Sequence, residues 1–146
     1  MVTFQEGIEK ISNWFRQNSA ILGVAQTNII IAAEQTPLND LGVGTPGVVL
    51  AFFPYDDEIA QNGRVRYRIG GCGAVFLAAG ASENEALIKA HNIMELAEYN
   101  LLKDLLWVNR GNELPTQLSL ASDLAAYGAI FTFHYKSAPE KLAEVN

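Results

Sequence analysis

The stretch Gly80-Ala81-Ser82-Glu83-Asn84-Glu85-Ala86-Leu87, continued as far as Leu105, decides the fold. Ser82 with Glu85 three residues on is a capping box. The hydroxyl accepts the amide proton of the third helical residue while the glutamate reaches back to the cap amide. Beyond it Ala86, Leu87, Ala90, Ile93, Met94, Ala97, Leu101 and Leu105 recur at helical spacing. At about 100° per residue they fall on one arc roughly 120° wide. Glu85, Lys89, Asn92, Glu95, Tyr99 and Lys103 occupy the other side, with Glu85 and Lys89 a favourable i,i+4 pair; Leu96 breaks the division. A long helix with one apolar stripe needs a surface to bury it, and β-like segments lie on both sides of it. The expected fold is α+β, a single-layer mixed or antiparallel β-sheet packed against an N-terminal helix and this long central one.

Working outward, Thr3-Phe4-Gln5-Glu6 is a second capping box, and Phe4, Ile8, Ile11 and Phe15 then share one helix face with Trp14 beside them. That helix is expected to end near Asn18. Ile29-Ile30-Ile31 reads as a short buried strand. Thr36 to Pro46, with two Pro and two Gly, reads as loop. Gly47 to Phe53 is a continuous apolar strand ended by Pro54, and Asp56-Asp57-Glu58 follow in a polar loop leading to an Asn62-Gly63 turn. Arg64-Val65-Arg66-Tyr67-Arg68-Ile69 alternates strictly, Gly70-Gly71 is read as a turn or bulge, and Gly73 to Ala79 as the strand feeding the central helix. After that helix, Trp107 to Pro115 is a connection, Leu118 and Leu120 mark a short strand, and 123–126 a bend or loop. Tyr127 to Lys136 is the last strand, with Ala129, Phe131, Phe133 and Tyr135 facing one way and Ile130, Thr132, His134 and Lys136 the other. From about residue 137 the polar remainder is expected to fray.

A chain of 146 residues suits one domain and can bury about 70% of its unfolded surface without a disulfide or metal. The single cysteine, Cys72, excludes an intramolecular disulfide and suits a reducing compartment. A net charge of −6, acidic in both halves, argues against a general nucleic-acid binder. An apolar share of 49% beside only 18% charged residues leans towards self-association. No membrane span is expected, because the greasiest run, Ala20 to Ala33, is short and interrupted by Gln26, Thr27 and Asn28. Glu6 and Glu9 ahead of any lysine do not look like a signal peptide, so synthesis in the cytoplasm is the default.

The chemistry-bearing residues converge on nothing. His91 and His134 lack metal-ligand spacing to each other or to Cys72, and Cys72 has no charged sequence neighbour to activate it. Gly42-Val43-Gly44 lacks the Lys-Ser/Thr of a phosphate loop. Glu95 and Glu98 read as solvated helix charge, and Asp56 to Glu58 lack the rest of a calcium loop. No catalytic residue, cofactor or metal site is therefore assigned. The interface candidates are Arg64, Arg66 and Arg68 with Asp56, Asp57 and Glu58. Two readings of the arginine stripe stand side by side. In one it is a solvent face paired with those acids; in the other it meets an acidic partner, a neighbouring subunit or a channel.

Three places carry a resemblance: Thr45-Pro46-Gly47-Val48-Val49-Leu50, a proline-led apolar strand; Gly80 to Leu87, where an acidic stretch precedes an Ala-Leu pair; and Tyr127 to Lys136, a closing strand ending in an aromatic and a basic residue. Together with the element order, over about residues 4 to 137, they resemble the tail terminator proteins of long-tailed bacteriophages. The resemblance implies a non-catalytic virion protein acting as a ring, commonly a hexamer, assembled in the bacterial host cytoplasm. One face would dock on the tail tube protein, and on the sheath protein of a contractile tail; the other would receive the neck or head connector. The arginine face would then sit at a subunit or ring-to-ring contact, or in a weaker variant line the lumen beside passing DNA. Other readings are another small neck, head-completion or baseplate subunit, a soluble α+β homo-oligomeric enzyme or ligand-binding domain, and an adaptor for acidic partners.

Overall fold

The computed structural model describes residues 2–32, 44–59, 66–121 and 123–136. Within them the chain runs α1 (Phe4–Gln17), α2 (Ser19–Leu22), a 3-10 turn (Gln26–Asn28), β1 (Ile29–Ile31), β2 (Gly47–Ile59) and β3 (Arg66–Ala79). It continues with α3 (Glu83–Asp104), β4 (Val108–Arg110), β5 (Thr116–Ala121) and β6 (Leu124–Lys136). The strands form one mixed sheet in the order β1-β2-β3-β6, with β4 and β5 following one another along the far side of β6. β1 is parallel to β2, every other pairing between these strands is antiparallel, and Val2 adds a single parallel bridge to Tyr135 of β6. This is the α+β architecture that the two amphipathic helices require.

Strand alternation sends Val48, Leu50, Cys72, Ala74, Phe76, Val108, Phe131 and Phe133 to one face of the sheet. There they meet Ile11, Trp14 and Phe15 of α1 and Ala90, Ile93, Met94, Ala97 and Leu101 of α3. Ala86, Ala90 and Ala97 are fully buried, and these small side chains let the backbone of α3 lie close on the sheet. The Trp14 indole Nε1 donates to Asp104 Oδ2 at 2.9 Å, tying the middle of α1 to the last turn of α3. On the opposite face Val49, Leu77 and Ala126 are buried beside Val75 and Leu118, and no helix of the described residues packs over them.

The N-terminal cap forms as expected, with Thr3 and Glu6 each accepting from the other's backbone amide. The second cap differs. Ser82 Oγ accepts from the Glu85 amide, but the Glu85 carboxylate takes the Ala81 amide instead of the cap amide and also pairs with Lys89 at 3.1 Å.

Four strand boundaries depart from the sequence reading. Pro54 does not end β2, which continues to Ile59 and carries Asp56, Asp57 and Glu58 on a strand rather than in a loop. Proline is tolerated there because β1 pairs only with Val48–Leu50, leaving Pro54 on an edge, next to the register shift between Pro54 and Asp56. Gly70 and Gly71 make no turn; they lie inside a single unbroken β3. Each removes a side chain where an aromatic ring must pass. A Cβ at Gly70 would stand 2.7 Å from the Phe133 ring on the helical face, and one at Gly71 would stand 2.5 Å from the Phe53 ring on the other. The connection after α3 contains β4, three residues paired with Phe131–Phe133 and too short to show a period. Residues 124–126 belong to β6, where Ala125 and Ala126 pair with Ala78 and Leu77.

The loop expected over 36–46 lies mostly outside the described residues. So do the Gly42-Val43 pair, the Asn62-Gly63 turn, Arg64 and the tail from 137. At the start of β2, Pro46 is reached through a cis peptide bond, and its carbonyl accepts from Asn28 Nδ2 at 3.1 Å, clamping the approach to β1.

Candidate interaction surfaces

The arginine strand and the acidic triplet come together as neighbouring strands. Asp56, Asp57 and Glu58 of β2 stand opposite Ile69, Arg68 and Tyr67 of β3. Residues opposite one another in an antiparallel pair share a face, so the backbone places Asp57 and Arg68 on one side of the sheet. The expected alternation holds for the described part. Arg68 falls on the face of Gly70 and Cys72 and is exposed, while Tyr67 and Ile69 are half-buried on the other. The side chains of Arg66, Asp57 and Glu58 lie outside those described. The fold therefore joins Asp56, Asp57, Glu58, Arg66 and Arg68 in one β2–β3 arm, with Arg64 outside the described residues; its register puts Asp57 on the face of Arg68, and Asp56 and Glu58 opposite Ile69 and Tyr67 on the other.

A contact without any sequence signal crosses the helix-free face. The Tyr55 hydroxyl lies 2.6 and 2.7 Å from the two carboxylate oxygens of Glu113 and donates its one proton between them. Tyr55 is on β2 and Glu113 follows β4, so the pair links strands that are separated by β3 and β6 in the sheet. The phenolic pKa is raised, first by donation to that carboxylate. Half-buried Phe53, Ile69, Val75 and Ile130 share this face.

On the helical side, two grooves meet at His91. Its Nδ1 lies 3.1 Å from Glu95 Oε1, and its ring stands edge-on to Tyr127 at 5.1 Å. The Tyr127 hydroxyl donates to Gln117 Oε1 at 3.1 Å. One groove, about 350 Å³, is lined by Asn84, Leu87, Ile88, Asn92, Gln117 and Tyr127 besides His91. The other, about 630 Å³, runs between α3 and β4 over Met94 and Leu102, with Arg110 Nη1 3.3 Å from Glu98 Oε1 at its rim. The i,i+4 spacing of His91 and Glu95 was visible in the sequence; the Glu98–Arg110 and Tyr127–Gln117 pairs depend on the fold.

Cys72 is fully buried between Phe52 and Phe131, and burial pushes its thiol far above the ordinary range. His134 faces the helix-free side of β6, whereas His91 lies over the helical side, so the sheet separates the two histidines. Among the described residues no cluster of three or more His, Cys, Asp or Glu could hold a metal ion, and no helix is long and apolar enough to cross a membrane. Comparison with known protein families and with curated protein sequences finds no match for this chain.

Proposed function

We propose that the chain is a non-catalytic structural subunit that works as a closed ring of copies, of the kind its sequence resembles: a tail terminator of a long-tailed bacteriophage. In that role the ring caps the tail tube, with the sheath where the tail contracts, and offers its other face to the neck connector within the virion.

One observation carries the self-assembly at the root of this reading. Among the described residues helices cover a single face of the sheet, and the other face keeps Phe53, Tyr55, Ile69, Val75 and Ile130 only half-buried in one copy. Apolar surface left partly wet in a subunit is gained back on association, at about 25 cal/mol per Å². The sealed thiol of Cys72 and the separation of the histidines fit a role without nucleophilic chemistry.

Light scattering on the purified chain tests the ring, and electron microscopy of particles assembled without it tests the role. The expected outcomes are a ring-sized species, and tails that are overlong or lack heads. A chain that stays single at every concentration and leaves tails normal overturns the reading. A second reading, a ligand-binding homo-oligomer, draws on the groove where Asn84, Asn92, Gln117 and His91 converge. Saturable small-molecule binding abolished by His91→Ala would favour it.

A further inference from the structure

We propose that neighbouring copies join through the two open edges of the sheet, β5 of one copy lying against β1 of the next, so that the sheet runs on from subunit to subunit. This rests on the ring reading and adds the contact that builds the ring.

The observation is chemical as well as topological. β1 pairs only with β2, and β5 only with β6, so among the described residues the outer side of each strand meets no other strand. An edge of this kind offers a row of unpaired amide and carbonyl groups. Sheets that must remain single guard such edges with lysine, proline, an inward charge, a bulge or a very short strand. Neither strand carries a charge or a proline; β1 is three residues long, and the one irregularity of β5 is confined to its hairpin end. β1 reads Ile29-Ile30-Ile31 and β5 reads Thr116-Gln117-Leu118-Ser119-Leu120-Ala121, without a charge or a proline. The register shift in β5, between Ser119 and Ala121, sits at the hairpin end and leaves Thr116–Leu118 regular. Both edges also hold wet apolar side chains, Ile31 at 40% exposure and Leu120 at 41%, with Leu114 just before β5 at 84%.

The occupant follows from counting edges. A twofold contact of β5 with β5 would leave every β1 open, and the reverse contact would leave every β5 open. Only head-to-tail pairing covers both, and a head-to-tail contact that closes makes a ring in which neither β1 nor β5 is left open. The two edges lie at opposite ends of the strand order, as a head-to-tail contact requires.

The test uses the full chain with a lysine at either edge, Ile31→Lys or Leu120→Lys, at positions exposed enough to leave the subunit folded. Far-UV circular dichroism and the melting temperature monitor that folding. By size-exclusion light scattering the unaltered chain is expected as a ring. Each variant alone is expected at single-chain mass, and an equimolar mixture at two-chain mass, since each variant retains the edge the other has lost. Both variants still forming rings, or a mixture that fails to pair, overturns the edge contact while leaving the ring reading intact. Dispersal by Leu120→Lys alone, with Ile31→Lys stopping at dimers, replaces it with the twofold contact. An unaltered chain that is single at every concentration removes the ring and this contact together. As a measure independent of lysine's effect on folding, a chain with both Ile31→Cys and Leu120→Cys is expected to give a ladder of covalent multimers on oxidation. Dimers and nothing larger would overturn the proposal.

Discussion

Gly70 and Gly71 set the tolerance of the sheet centre, because the rings of Phe133 and Phe53 occupy the space where their side chains would be. Gly71→Ala is expected to lower stability by about 1–3 kcal/mol, read from the midpoint of urea unfolding, since the ring over it must leave its rotamer or lift from the sheet. An unchanged midpoint would mean that Phe53 moves aside freely. Tyr55 gives a pH signature. Its folded pKa is raised above the ordinary value of about 10, so the native state holds the phenolic proton more tightly than the unfolded chain does. That contribution is fully present below pH 10 and is lost as pH rises through the folded pKa. A late-titrating phenol in the ultraviolet difference spectrum, absent in Tyr55→Phe and shifted down in Glu113→Gln, is the expected result. None of this was readable in the sequence. Glycine next to glycine signals a turn when backbone freedom is the only consideration, and the opposite use, clearance for rings on both faces, depends on partners far along the chain. Tyr55 and Glu113, 58 residues apart, carry no shared pattern.

At the scale of elements, long periodic segments were legible and short or interrupted ones were not. α3 and β6 show their faces in the sequence because eight apolar residues at helical spacing, or alternating Phe131, Phe133 and Tyr135, repeat a period several times over. β4, at three residues, never completes one, and β2 looked finished at Pro54 because the lost ladder bond seemed fatal. It is harmless where β1 has already stopped pairing. The capping box of α3 was recognised, yet its glutamate settled one amide further out and took Lys89 as partner. The hydroxyl still satisfies an otherwise orphaned amide, so Ser82→Ala is expected to cost about 1 kcal/mol in thermal or chemical unfolding, and Ser82→Asp to retain most of the cap. Equal stability of all three chains would show that the Glu85–Ala81 contact holds the helix start unaided. Of the candidate interface, pairing of the arginines with 56–58 is one of two readings the sequence leaves open, with the acids in a loop; the fold sets 56–58 on a strand beside the arginine strand.

For the whole molecule, an apolar-rich composition points to incomplete burial, and the fold locates it: among the described residues one sheet face has no helical cover, and β1 and β5 have no outer neighbour. Composition could announce the surplus but not its address, which depends on strand order. The lone sulfur has a separate use. Cys72 sits on the middle strand of the three longest, with Phe52 on one side and Phe131 on the other, and no solvent reaches it. A disulfide reagent can touch it only after those strands part, so the thiol is an internal clock for rupture of the central pleat. Modification by a chromogenic aromatic disulfide should quicken with urea in parallel with the loss of ellipticity. If capture proceeds at one pace whatever the denaturant, the middle of the sheet breathes without the rest letting go.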